Sequence, residues 1–202
     1  MLRRKAGILI VAKAMMLVAL VGSFSHAETG TIVKGTVTLP PDSGSPKNVV
    51  VYLDGAIGTP TPGKALIDQK NTEFVPHVVA VSVGSTVEFL NSDTVLHNVF
   101  SIDAPNNFDL GAFIHGQSRS VTFSKPGLVK LRCNVHSSML AFVLVLENNY
   151  FTTPDERGNY QITGIPPGRY KLRAWHESLP GVETWANLDD ATLRTVDLRF
   201  NR

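Results

Sequence analysis

The chain has 202 residues, of which 43% are hydrophobic and 18% charged, and its formal net charge at pH 7 is +2. This balance excludes a disordered chain and a chain built around a dense basic surface. The length is sufficient for one large or two small domains.

The first 27 residues have the three-part pattern of a secretory signal peptide. A basic start is followed by an apolar stretch that runs to Val21, and the small residues Ser25 and Ala27 favour cleavage after Ala27. Lys13 interrupts the apolar stretch, which is therefore shorter than the roughly 18–20 residues of a spanning helix. An uncleaved membrane anchor is the alternative. No Cys directly follows Ala27, so no lipid attachment point is expected there.

Cleavage at this point would change the charge balance of the chain. Four of the 19 Lys and Arg residues lie before it, so 15 would remain against 17 Asp and Glu. We therefore expect a slightly acidic exported or periplasmic protein, with no nucleic-acid partner and no membrane attachment after signal cleavage.

After residue 27, the sequence pattern predicts a succession of short β-strands. They are rich in β-branched and aromatic residues, and clusters of Gly, Pro, Asn and Asp separate them. The clearest runs are residues 49–53, 77–83, 87–90, 120–123 and 141–146. One weak helix candidate lies around residues 183–193. Strands of this length and spacing predict an all-β sandwich or barrel.

Cys133, His136 and Met139 lie on one short segment between two predicted strands, 128–132 and 140–146. His97, which follows a turn at residues 91–93, is the natural fourth donor. Two imidazoles, one thiolate and a weak thioether form the blue-copper donor set, which lacks the hard oxygens of Mg or Ca sites. Taken singly, each residue is more often a core or solvated side chain. Their coincidence around the single Cys of the chain favours copper, whereas structural zinc prefers more Cys or His ligands.

The spacing Cys133-x₂-His136-x₂-Met139, together with His97 followed by Asn98, resembles the amicyanin/plastocyanin-like branch of the cupredoxin (blue copper) family. The resemblance implies a Greek-key β-sandwich that binds one copper ion per chain. His97, Cys133 and His136 would be equatorial ligands and Met139 the axial one, and the Asn98 side chain would link the His97 strand to the Cys133 loop. The similarity covers about residues 65–147, including 74–76, 83–91, 97–100 and 123–127.

The same comparison argues against an enzyme. A two-copper centre would need a second Cys beside the first, and a multicopper oxidase would need His-x-His pairs. The sequence contains neither pattern. We therefore expect no oxidase activity and no catalytic residues.

The segments outside the cupredoxin region resemble carboxypeptidase-regulatory-like (prealbumin-type) domains. Residues 155–172 resemble the back half of such a domain, and residues 33–53 resemble the front half. This predicts a second, discontinuous β-sandwich formed by residues 28–64 and 148–202, with the cupredoxin domain inserted at residues 65–147. The alternative is that residues 30–55 add strands to the cupredoxin. The segments carry no evident catalytic set, so a structural or partner-binding role is expected.

Three further histidines, His77, His115 and His176, have no close ligand spacing. They are expected to be solvated or hydrogen-bonded. An accessory copper site at His77 or His176 is the more specific but less expected alternative.

Two functions fit these features. The first is an electron carrier that cycles between Cu(I) and Cu(II) with a redox partner protein. The second is copper binding for tolerance or delivery. The ligands do not separate the two, and a purely structural adhesion module would leave the Cys133 loop unexplained.

Overall fold

The computed structural model describes residues 30–189 and 192–202. The predicted signal peptide, residues 1–27, lies outside the described residues. Within them, a short 3₁₀ helix at Pro46–Asn48 accompanies the strands, and no helix is long and apolar enough to cross a membrane. The strands, in chain order, are β1 (Thr31–Thr38), β2 (Val50–Leu53), β3 (Lys64–Lys70), β4 (Glu73–Val75), β5 (Val78–Ser82), β6 (Thr86–Asn91), β7 (His97–Ser101), β8 (Phe108–Phe113), β9 (Ser118–Thr122), β10 (Gly127–Arg132), β11 (Leu140–Leu146), β12 (Phe151–Thr152), β13 (Asn159–Ile165), β14 (Arg169–Trp175), β15 (Val182–Asn187), β16 (Leu193–Thr195) and β17 (Leu198–Arg199).

The middle of the chain forms a sandwich of two sheets, with strand orders β4-β3-β6-β9 and β5-β11-β10-β7-β8. Their facing side chains form one buried core, which includes Ile67, Phe89, Val129 and Val143 and also Cys133 and Met139. The alternation of apolar residues along β6 and β10 places one face of each strand in this core. The all-β sandwich predicted from the sequence is confirmed.

The terminal segments form a second pair of sheets around a separate core. In one sheet β1 pairs with β13, β16 and β17, and in the other β2 pairs with β12 and β14, while β14 also pairs with β15. The N-terminal strands are therefore hydrogen-bonded to C-terminal strands. Gly35 in β1 is closely covered, because a Cβ atom there would overlap the carbonyl group of Val196.

A third, smaller apolar cluster joins the two sandwiches. Val78, Phe142 and Leu144 from β5 and β11 pack with Val50 of β2, and partly buried Trp175 of β14 packs against them. The rings of Phe142 and Trp175 lie 5.4 Å apart between centroids. Strand β11 is consequently buried on both faces, which explains the unbroken apolar run that the sequence shows there.

The weak helix candidate at residues 183–193 is wrong. Residues Val182–Asn187 form β15, which pairs antiparallel with β14 over six residues. The turn before β15 returns the chain along β14, and Ala186 and Leu188 then enter the second core at the two-residue period of a strand. Tertiary pairing overrides the modest helix propensity of this segment.

Candidate metal centre

The predicted ligands meet at one end of the first sandwich, where hydrogen bonds fix the loops. The buried Asn91, at the end of β6, donates from its side-chain amide to the carbonyls of Val95 and Phe113, at 3.0 and 2.9 Å. Its own carbonyl accepts from the backbone N–H of Gly116. One amide side chain thus holds the segment before His97 against the turn that follows β8.

His97 begins β7 and is fully buried, opposite Phe113 of β8. Its Nε2 atom lies 3.1 Å from a carboxylate oxygen of Asp93. The pKa of Asp93 is lowered to about 2, chiefly by the hydrogen bond from the Thr72 amide and then by the one from His97. An ionised carboxylate only accepts hydrogen bonds, so His97 carries its proton on Nε2 and presents the lone pair of Nδ1 to the site.

The three strongest candidate donors converge. Nδ1 of His97 lies 3.9 Å from Sγ of Cys133 and 3.0 Å from Nδ1 of His136. One ligand atom from each of the three residues falls within 4.8 Å of the others. Two ring nitrogens this close repel each other when both offer lone pairs, unless a proton or a cation lies between them.

The loop from Cys133 to Met139 is shaped by two backbone hydrogen bonds. The N–H of Met139 donates to the carbonyl of His136 at 3.1 Å, which closes a tight turn. The N–H of Asn134 donates to Oδ1 of Asn98 at 2.8 Å. The buried Asn98 side chain therefore connects the His97 strand to the Cys133 loop. Met139 is buried in the same core as Cys133.

The donor set fits a copper ion on chemical grounds. Bonds from a metal of this size to imidazole nitrogen and thiolate sulfur are roughly 2.0–2.3 Å, so two of them meeting at one ion span up to about 4 Å. The separations from His97 to the other two donors fall within that reach. Two imidazoles, one thiolate and a nearby thioether are soft or borderline donors, which suit copper and not magnesium or calcium.

A partly exposed imidazole at this end has exposed apolar residues next to it in the chain. Cys133, Met139 and His97 are buried, whereas His136 is only partly so. Exposed apolar side chains adjoin the ligands in the chain: Leu96 precedes His97, and Val135 precedes His136. His136 is therefore the ligand nearest to solvent, and it lies beside apolar surface.

The other histidines are held by separate hydrogen bonds. Nε2 of His77 lies 2.8 Å from a carboxylate oxygen of Glu177, across the contact between the two sandwiches. Nδ1 of His115 lies 3.0 Å from the carbonyl of Asp93, and the buried His176 accepts from the backbone of Ser178. Among the described residues, none of these three joins a group of three or more convergent ligands.

Sequence reasoning missed Asp93. It lies in the turn before His97, a position where a solvated aspartate is ordinary. The signal available was its spacing of four residues from His97, which is too common to single out.

The fold and the donor set together describe a β-sandwich with a copper-type ligand group at one end. Residues 63–146 match the family of copper binding proteins of the plastocyanin/azurin type. Copper is the cofactor of this domain. The matched segment agrees with the region of resemblance, residues 65–147.

Solved structures similar to this chain include other copper proteins. A purple cupredoxin from Nitrosopumilus maritimus is 26% identical, with 40% of this chain and 98% of that chain covered and a TM-score of 0.37. A Cu-containing nitrite reductase from Thermus scotoductus SA-01 is 26% identical over 56% of this chain but 28% of that chain, with a TM-score of 0.40. A mutant of amicyanin in the Cu(I) form is 19% identical, with 47% and 97% covered and a TM-score of 0.39. A search of curated proteins finds no match.

Proposed function

We propose that this protein is an exported electron carrier that holds one type 1 copper ion and cycles between Cu(I) and Cu(II). His97, Cys133 and His136 would form the trigonal plane and Met139 would be the weak axial ligand. The observation that carries the proposal is the convergence of two Nδ1 atoms and one Sγ atom within 4.8 Å, beside the buried Met139.

Electron transfer, rather than storage, is supported by how firmly the ligands are held. Asp93 fixes the ring of His97, and Asn98 fixes the Cys133 loop to the neighbouring strand. When bound, copper supplies a one-electron couple, and a pre-formed ligand set changes little between oxidation states. The partly exposed His136, beside apolar surface, offers the shortest path to a redox partner protein.

We also propose that the chain has no catalytic activity of its own. The support is the sequence, which has neither a second Cys beside Cys133 nor a His-x-His pair. A purified copper-loaded protein that turns over nitrite or another small oxidant without a partner would contradict this proposal.

Copper tolerance or delivery is the second candidate. A surface cleft of about 480 Å³ is lined by His77 and Met139, among others, and so brings a second imidazole to the surface beside one predicted ligand. Transfer of copper to an acceptor protein, without reversible redox cycling, would favour this function. Reversible voltammetry at a stable potential would favour electron transfer.

We propose that the second sandwich, residues 28–64 with 148–202, is a structural or partner-binding module into which the cupredoxin is inserted. Its strands pair with one another and enclose their own core. Both tryptophans, Trp175 and Trp185, lie in this module. Their fluorescence should therefore report its unfolding, while copper absorption reports the cupredoxin. A single denaturant midpoint shared by both signals in every variant would argue against two modules.

Export follows from the sequence pattern of residues 1–27. Intact-mass analysis of secreted material should find a chain that begins at Glu28. A retained Met1 would show that the segment is an anchor.

The decisive experiment for the copper site is the visible spectrum of the mature protein with Cu(II). We expect about one copper per chain and intense thiolate-to-copper absorption. Cys133→Ala should abolish this absorption, whereas Met139→Leu, which keeps the thiolate, should retain it. A Cys133→Ala variant that stays coloured would disprove the assignment.

A further inference from the structure

A buried side-chain amide in β3 has an oxygen without a hydrogen-bond partner. The Gln69 side chain is 0% exposed, and its Nε2 atom donates to the carbonyl of Leu90 at 3.3 Å. Among the described residues, its Oε1 atom has no hydrogen-bond partner. Leaving a polar atom buried without a partner costs about 1–3 kcal/mol, so such an atom usually has an ion, a water or a role to account for it.

The orientation of the amide is fixed. Only the NH₂ group can donate to a carbonyl, so the contact with Leu90 assigns Nε2 to that side and Oε1 to the other. Gln69 lies two residues after Ile67, on the same face of β3. Ile67 belongs to the core that contains Cys133 and Met139. The amide oxygen therefore belongs to the interior of the first sandwich, not to its surface.

Strand register places Gln69 at the metal end of that interior. Its partner in β4 is Phe74, which lines the same cleft as Met139. Its partner in β6 is Asn91, whose side chain holds the carbonyl of Phe113, and Phe113 is the strand partner of His97. Pairing and one side-chain hydrogen bond thus connect Gln69 to His97 through Asn91 and Phe113.

We propose that Oε1 of Gln69 is a further, weak oxygen donor to the copper centre and that it favours Cu(II). The inference rests on the proposed copper function. Amide oxygen is a harder donor than thiolate or thioether, so it stabilises the more highly charged ion more than Cu(I). It therefore holds the reduction potential lower than the four predicted ligands would set it alone.

The test is Gln69→Leu, which removes the oxygen at nearly constant volume. We expect Cu(II) affinity to fall about tenfold, a loss at the lower end of those seen when residues around a metal are changed. Cu(I) affinity should stay unchanged. A tenfold loss confined to Cu(II) corresponds to a rise of about 59 mV in the potential of a one-electron couple. Gln69→Met, which keeps the side-chain length, should shift the potential in the same direction and guards against misfolding of the first variant.

Two controls distinguish a specific effect on copper from a change in folding stability or a general effect of replacing Gln. The metal-free Gln69→Leu protein should unfold at nearly the same denaturant concentration, because the variant loses the unpaired oxygen together with the long hydrogen bond to Leu90. Gln161→Leu, at an exposed position of β13, should leave both copper affinities unchanged. Unchanged Cu(II) affinity in both Gln69 variants, or equal losses for Cu(II) and Cu(I), would overturn the role of Gln69. A wild-type protein without copper absorption would overturn the copper function itself.

Discussion

Replacing Asn98 with Ala should weaken copper binding without unfolding the protein. The Asn98 side chain makes two contacts: Oδ1 accepts from the Asn134 N–H at 2.8 Å, and Nδ2 lies 3.4 Å from a carboxylate oxygen of Asp109. The second is long for a hydrogen bond, so the first carries most of the effect. Losing it leaves a backbone N–H of the ligand loop unpaired, at a cost of about 1–3 kcal/mol in unfolding free energy.

The effect on copper should be comparable in free energy but confined to the metal site, whatever the global stability does. The bond ties the segment that begins at Cys133 to the strand that begins at His97, so its loss frees one ligand relative to another. Residues that orient metal ligands in this way typically contribute about 10–100-fold in affinity. We therefore expect Asn98→Ala to bind Cu(II) at least about tenfold more weakly. Titration with copper against a competing chelator measures this directly.

Asn148 provides a matched control. It is buried to the same degree as Asn98, and its amide donates to the carbonyls of Leu53 and Gly55 in the second sandwich. Asn148→Ala should cost a similar amount of stability and leave copper affinity unchanged. If both variants lose copper equally, the loss reflects general destabilisation. If Asn98→Ala binds copper like the wild type, the link to Asn134 does not position the ligands.

Three further predictions separate the parts of the molecule. Met139→Leu should keep copper bound and raise the reduction potential, whereas His97→Ala should lose most of its copper affinity. If a copper titration shows equal losses of affinity for both variants, Met139 is not an axial ligand. Gly35→Ala forces a methyl group into the carbonyl that covers β1, so tryptophan fluorescence should show about 1–3 kcal/mol of destabilisation with copper absorption unchanged. Hydrogen bonds from Thr36, its hydroxyl first and then its amide, lower the pKa of Asp197. The ionised form therefore favours the folded state above about pH 4, the ordinary pKa range of Asp. Asp197→Asn should lower the denaturant midpoint at pH 7, and the difference from the wild type should shrink as the pH falls below about 4.

The ligand loop could be predicted because its candidate ligands are close together along the chain. Cys133, His136 and Met139 occupy seven consecutive positions, so their proximity needs no knowledge of the fold. His97 was harder, since it lies 36 residues before Cys133 along the chain. Its place just after the turn at residues 91–93 made it the natural fourth donor, and the family resemblance agreed. The strands were predictable for a similar reason: alternating burial leaves a two-residue period that can be read along each strand.

The supporting contacts could not be predicted because they depend on strand register. The role of Asp93 follows from its distance to the buried ring of His97. The unpaired oxygen of Gln69 follows from a register that aligns it with Asn91 and Phe74. A shift of one residue would turn Gln69 to the opposite face of the sheet. Nothing in the sequence around Gln69 distinguishes these alternatives.

The contact between the sandwiches also explains why the cupredoxin is not a free-standing unit here. The outer face of β11 presents Phe142 and Leu144, which would form an exposed apolar patch on an isolated domain. The second sandwich covers them with Val50 and Trp175. The cover begins close to the metal loop, because Phe142 is three residues after Met139 and its backbone N–H donates to the carbonyl of His77.

The ring of His77 in turn packs edge-on against Phe142 and pairs with Glu177 of the second sandwich. The strand that leaves the ligand loop is therefore fixed on its inner face by the cupredoxin core and on its outer face by the neighbouring module. A ligand loop that is anchored on both sides after its last donor has little freedom to rearrange. Such restraint is what the proposed electron-transfer role requires, because a copper centre transfers electrons readily when its ligands move little between oxidation states.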